Sequence, residues 1–202
     1  MPENFIETIR NQQSAFGLTL PEETLEKLSA YHRLIEKNNP ILHLVAPSSA
    51  EEFAVRHILE SLTLLEFLPR NAKLADVGTG AGLPSIPCLL AREDLGGVLI
   101  ESKLKKAAFL QEALSEGGLA NRTTIINRQF EEISTPDVSF VACRALDKFT
   151  QKLPKLLKWA KGRKLLFFGG PALGAELRKN RVKFTEKLMP LSEQRYLFIG
   201  QI

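Results

Sequence analysis

The segment Leu74-Ala75-Asp76-Val77-Gly78-Thr79-Gly80-Ala81-Gly82-Leu83-Pro84 constrains this chain more than any other. A short apolar run closes on an acid, three glycines follow at alternate positions, and a proline opens the next element. Glycine has no Cβ and tolerates positive φ, so such a turn lets backbone approach a ligand closely. Proline suits the first turn of a helix, where its missing N–H is no loss. The pattern reads as strand, tight turn and helix N-terminus. Nucleotide-binding α/β folds of several chemistries share it, and glycines also serve turns for conformational reasons alone.

The flanking sequence decides the fold class. Ahead of the turn lie three helical patterns: a weak one marked by Phe5, Ile9 and Phe16, a second starting at Pro21-Glu22-Glu23 and ending at Asn38-Asn39-Pro40, and a third carrying Val55, Ile58, Leu59, Leu62 and Leu65 up to Pro69. From Lys73 strands and helices alternate. Strands are expected at 74–78, 97–101, 123–128, 138–143 and 164–168, with helices at 83–91, 104–116, 152–160 and 172–179 between and after them. Phe184–Leu188 and Arg195–Ile199 read as a terminal antiparallel pair. This order predicts an α/β fold with a mainly parallel sheet covered on both faces. It divides the chain into an N-terminal helical extension, 1–70, and an α/β domain, 71–202.

Composition excludes several classes. No apolar run approaches the roughly 18–20 residues that span a bilayer, and the N-terminus lacks a basic, apolar signal pattern. Cys88 and Cys143 have neither metal-ligand spacing nor a disulfide framework, and both fit buried apolar positions. A cytoplasmic protein is expected, with no membrane partner and no metal. Nothing in the sequence demands more than a monomer. The net charge of +4 hides an asymmetry: residues 1–143 carry 13 Lys/Arg against 19 Asp/Glu, and residues 144–202 carry 14 against 4. So concentrated a positive field favours a polyanionic partner, unless it serves only as a solubilising tail.

In such a sheet, ligands bind beyond the carboxyl ends of the strands, where the strand order reverses. The candidates are Asp76 to Gly82, Glu101-Ser102, Gln129 to Glu131, and Arg144. Glu101 lies about 20 residues past the glycine turn, where an acid accepts hydrogen bonds from ribose hydroxyls. Asp76 suits either the turn itself or a cationic ligand group. Arg144 suits a carboxylate or phosphate in the crevice, or a structural ion pair. His32, His43 and His57 have no nucleophile in pattern, and His57 reads as a helix-packing residue.

Together these residues resemble the RsmG (GidB) family, methyltransferases that modify guanine N7 in small-subunit ribosomal RNA. The likeness runs through nearly the whole chain. It is carried by Asp76-Val77-Gly78-Thr79-Gly80-Ala81-Gly82-Leu83-Pro84-Ser85-Ile86-Pro87 and by Glu101-Ser102-Lys103-Leu104-Lys105-Lys106-Ala107-Ala108-Phe109-Leu110. Arg56-His57-Ile58-Leu59-Glu60-Ser61-Leu62 resembles the family's RHxxDSL helix with Glu for Asp, Cys143-Arg144-Ala145 its SRA motif, and Arg195-Tyr196-Leu197 its terminal basic strand.

The resemblance implies a Rossmann-like class I methyltransferase with a seven-stranded, mostly parallel sheet. Its cofactor would be S-adenosylmethionine, held by Asp76, Gly78, Gly80, Gly82, Leu83, Ser102 and Arg144, with Glu101 on the ribose and Phe130 and Glu131 near the adenine, and Arg144 would also be the catalytic arginine of the active site. Lys105, Lys106 and Arg195 would serve 16S ribosomal RNA or the small subunit. Two places depart from the family pattern: Asn38 to Val45 stands where WNxxxNLT is usual, and Gly169 where the family tends to have Lys. Both fall where substrate would be gripped. Guanine N7 has a lone pair and no proton, so its methylation needs no general base, consistent with the missing His–nucleophile pattern. A methyltransferase for another RNA position or a small molecule, and a cofactor-binding assembly factor without turnover, stay open as alternatives.

Overall fold

The computed structural model of the chain describes residues 2–144 and 149–202. Helices α1 (Pro2–Gln12) and α2 (Glu22–Leu42) come first. A third helical stretch follows, made of α3 (Ala50–Phe53), a π-helical segment Ala54–Leu59, α4 (Glu60–Leu62) and a 3-10 turn Thr63–Glu66. Strands and helices then alternate: β1 (Lys73–Val77), α5 (Ser85–Ala91), β2 (Gly96–Ile100), α6 (Leu104–Glu116), β3 (Thr123–Ile126), β4 (Phe140–Arg144), α7 (Phe149–Trp159), β5 (Lys164–Gly169), α8 (Pro171–Lys179), β6 (Lys183–Leu188) and β7 (Tyr196–Gln201).

The seven strands form one sheet in the order β3-β2-β1-β4-β5-β7-β6. Strands β3, β2, β1, β4 and β5 pair in parallel, and β7 pairs antiparallel with both β5 and β6. The fold is thus the expected α/β one, with the expected seven strands, mostly parallel. The order reverses between β1 and β4, so their carboxyl ends open the crevice where ligands bind in such sheets. Because β7 runs the other way, its first residue Tyr196 lies opposite Gly169, the last residue of β5. Arg195 therefore reaches the same edge as Arg144.

Alternation along the strands separates two cores. Leu74, Leu99, Phe140, Ala142, Leu166, Phe168 and Leu197 face α5, α6 and the N-terminal helices, where Phe5, Ile9, Leu28, Ile35, Ile58 and Leu62 complete one continuous cluster. Ala75, Val77, Val98, Ile100, Val141, Cys143, Phe167 and Phe198 face the other way, onto Leu153 and Leu156 of α7 and Leu173 and Leu177 of α8. Cys88 and Cys143 are buried without a disulfide.

Element ends shift by up to three residues, as where the helix expected at 152–160 spans Phe149–Trp159, and three differences have a local cause. Helix α2 runs through Pro40 to Leu42, because the Asn39 side chain and a left-handed His43, φ 47°, close it later. Helix α5 begins at Ser85, with Leu83 and Pro84 still in the turn, since the Gly82 and Leu83 N–H groups bond back to Thr79 O. The third helix is not a regular amphipathic α-helix. Its π-helical segment rotates the residues that follow, and Glu60, Ser61, Leu62, Thr63 and Leu64 are all buried.

Candidate active site

The turn after β1 is shaped as its glycines require. Gly78, Gly80 and Gly82 have φ of 68°, 57° and 94°, values that L side chains rarely adopt. A Cβ on Gly82 would stand 2.3 Å from Ile86 Cδ1, so this position excludes a side chain on steric grounds as well. The turn is anchored to β2 by Gly78 N and Thr79 N, which donate to Ile100 O. From the other side, Tyr31 of α2 donates its hydroxyl to Ala81 O at 2.6 Å. Sequence reading missed Tyr31, whose partner lies 50 residues away.

Asp76 is fully buried beneath the turn. Its Oδ2 accepts from Thr79 Oγ1 at 2.7 Å and Ser85 N at 3.3 Å, while Oδ1 has no hydrogen-bond partner among the described residues. Burial pushes the carboxyl up to about 7, against the lowering effect of those hydrogen bonds. The turn-capping reading of Asp76 is thus realised, and one buried oxygen remains open.

Glu101, 7% exposed, directly follows β2 and faces the turn. Its Oε2 accepts from Gly80 N at 3.1 Å and its Oε1 from Lys103 N at 2.8 Å. Gly78, Ser102, Gln129, Phe130, Glu131 and Lys152 line a narrow cleft beside it. Phe130 itself is buried, packed edge-on against Trp159, and Glu131 pairs with Lys152 at 3.6 Å. Phe130 and Glu131 thus border the cleft, with the Phe130 ring committed to the core.

Across the crevice, Arg144 ends β4. Its guanidinium donates to Arg56 O at 2.5 Å, Glu60 Oε2 at 3.2 Å and Ser61 Oγ at 3.4 Å, and lies 5.3 Å from the centre of the Phe168 ring. Arg144 is thus ion-paired with Glu60. Arg195 donates from Nε to the other oxygen of Glu60 at 2.6 Å. His57 packs on Phe53, and burial, with Arg144, Arg56 and Arg195 nearby, pulls its imidazole down to about 3. Ala145 of the Cys143-Arg144-Ala145 motif lies outside the described residues.

Lys105 and Lys106 stand at the start of α6, next to Glu101. Lys105 is exposed. Lys106 is half-buried and donates from Nζ to His43 O at 3.0 Å, which ties it to the divergent segment at the end of α2. Arg195, expected with these lysines to serve RNA, lies apart from them, beside Arg144 on the shared Glu60. A cavity of about 390 Å³ between α2 and the loop into α3 is lined by His32, Glu36, Asn39, His43 and Phe53, and by none of the expected site residues. No group of three or more metal-ligating side chains occurs among the described residues. Nor is any helix there long and apolar enough to cross a membrane.

A family model described as rRNA small subunit methyltransferase G matches residues 24–194. The chain is 35% identical over 139 residues to a ribosomal RNA small subunit methyltransferase G from Neisseria meningitidis serogroup C, covering 69% of this chain and 67% of that one. It is 40% identical over 132 residues to the protein of that name from Nitrosospira multiformis, covering 65% and 61%. Among solved structures, a SAM dependent methyltransferase from Aquifex aeolicus superposes with a TM-score of 0.59 at 15% identity, over 84% of this chain and 97% of that one. The Bacillus subtilis M1A22 tRNA methyltransferase TrmK gives 0.55 at 14%, over 73% and 65%. These structures speak to the fold.

Proposed function

The chain belongs to the rRNA small subunit methyltransferase G family, and from that premise we propose that it transfers a methyl group from S-adenosylmethionine to N7 of a guanine in 16S ribosomal RNA. The observation that carries the cofactor half is the glycine turn. Three positive-φ glycines lie beside a buried acid with one open oxygen and face a second acid at the end of β2. Those residues fit a nucleoside with a cationic end. Gly78, Gly80, Gly82 and Leu83 would hold its backbone-facing edge, Glu101 and Ser102 the ribose, and the cleft bordered by Phe130 and Glu131 the adenine. Asp76 would stand near the charged end.

Bound S-adenosylmethionine supplies an electrophilic methyl carbon. This chain's residues are left with positioning and electrostatics. N7 presents a lone pair without a proton, so no side chain has to remove one. Alignment of donor and acceptor is then the main contribution. Positive charge moves toward the purine during transfer, and fixed acids and carbonyls stabilise it better than mobile water does. Glu101 already accepts from Gly80 N and Lys103 N, and its carboxylate oxygens keep lone pairs for the ribose hydroxyls. The α/β domain, 71–202, would carry these steps, with the helices of 1–70 bringing Tyr31 and Glu60 to its edge. The protein would act as a cytoplasmic monomer on ribosomal RNA or the small subunit, with Lys105, Lys106 and Arg195 toward the RNA.

Nucleoside mass spectrometry of ribosomal RNA with and without the protein tests this reading. A gain of one 7-methylguanosine per small-subunit RNA is expected. Unchanged 7-methylguanosine alongside calorimetric cofactor binding would leave the assembly-factor alternative standing.

A further inference from the structure

Glu60 lies on the inward side of the stretch that carries Arg56 and His57, with 1% of its side chain exposed. A carboxylate at that depth needs partners for both oxygens, because desolvation costs several kcal/mol. It has them: Oε1 accepts from Arg195 Nε and Oε2 from Arg144 Nη2. The arginines come from the end of β4 and the approach to β7, 84 and 135 residues further along the chain. Arg56 is paired separately with Glu52. One carboxylate therefore balances two guanidiniums, whose side chains are only 14% and 34% exposed. Among the described residues this leaves one guanidinium charge at the carboxyl edge of the sheet without a paired carboxylate. Among the described residues Arg195 donates only through Nε, so both its Nη groups face no protein acceptor.

We propose that Glu60 is a positioning residue that locks Arg144 and Arg195 into one receptor for a single phosphate of the RNA. The inference rests on the reading of the chain as an RNA methyltransferase. Arginine suits this task because its planar fork binds phosphate oxygens in pairs. A phosphate held there, across the crevice from the glycine turn, fixes the RNA strand relative to the methyl donor. Glu60 touches neither RNA nor cofactor and acts through the arginines. The same surplus charge would also suit the cofactor carboxylate, and the experiment separates the two.

Glu60→Gln keeps the shape and removes the charge; Glu60→Asp keeps the charge on a shorter stem. Single-turnover transfer to small-subunit RNA would be measured with cofactor and RNA affinities alongside. Transfer by Glu60→Gln is expected to fall roughly ten- to hundredfold, with cofactor affinity unchanged. Its RNA affinity is expected to be equal or tighter, because the net positive charge rises by one. Glu60→Asp should recover a large part of the loss. Arg195→Lys keeps the charge, loses the fork, and decides the question should Glu60→Gln not fold; a loss of about tenfold is expected. Parental transfer rates in both variants would overturn the inference. So would a rate loss that follows cofactor affinity, which would assign the arginines to the cofactor carboxylate. A parent protein that binds cofactor and RNA but methylates nothing refutes the functional reading and takes this inference with it.

Discussion

Burial raises the Asp76 carboxyl to about 7 and lowers the His57 imidazole to about 3. For Asp76 the folded chain binds its proton more tightly than the unfolded chain, whose reference value is 3.8. The stabilisation is therefore complete below about pH 4 and is lost as pH rises through about 7. For a shift of this size the swing is on the order of 4 kcal/mol. Asp76→Asn removes it, so the stability difference between parent and variant should shrink or invert from pH 4 to pH 7.5, measured by urea unfolding at each pH. His57 runs the other way: its contribution is complete above about 6.5 and is lost as pH falls toward 3. A His57→Phe variant should gain on the parent as the solution is acidified, in the same assay. At this scale the sequence was most legible where a residue's constraint is local. The three glycines announce their own φ. Glu60 carried only a faint signal, an acid inside the apolar pattern Ile58, Leu59, Leu62, because its partners are long-range.

The glycine turn is held as an element, between β2 on one side and α2 on the other. Gly82→Ala forces a Cβ to within 2.3 Å of Ile86 Cδ1 at φ 94°. A stability loss of roughly 2–3 kcal/mol follows from overpacking and backbone strain, and calorimetry should show cofactor affinity lost with it. Tyr31→Phe deletes only the hydroxyl bonded to Ala81 O. The unpaired carbonyl should cost about 1–3 kcal/mol in thermal or urea unfolding, with weaker cofactor binding if α2 sets the turn. Gly169 explains one departure from the family pattern, since a Cβ there would sit 2.6 Å from Leu173 Cδ2. This chain's own packing thus favours glycine at the end of β5. Strand and helix order could be read from period and punctuation. The π-helical segment could not, because hydrophobic spacing assumes a regular repeat and the inward turn of Glu60 and Ser61 depends on its interruption.

Across the whole molecule, charge and core are distributed differently. The last 59 residues, 144–202, hold 14 of the 27 Lys/Arg. RNA binding should therefore weaken steeply with salt, and a filter-binding series from low to physiological salt should give a linear log–log plot of negative slope. A slope near zero would count against RNA as the ligand. The apolar core ignores the boundary near residue 70, since the N-terminal helices and one sheet face share a single cluster. Charge asymmetry was visible in composition, but that sharing was not, because only tertiary packing shows which face the helices cover.

The strand order has a consequence for how the polypeptide is made. Strand β7 is synthesised after β6 yet lies between β6 and β5. Until β7 is in place, β6 lacks its pairing strand and the outer edge of β5 is unpaired. Leu197 and Phe198, fully or nearly fully buried, complete the two cores from this one strand. A chain in which β7 has not yet paired would present bare strand edges, the feature that makes unfinished sheets prone to aggregate.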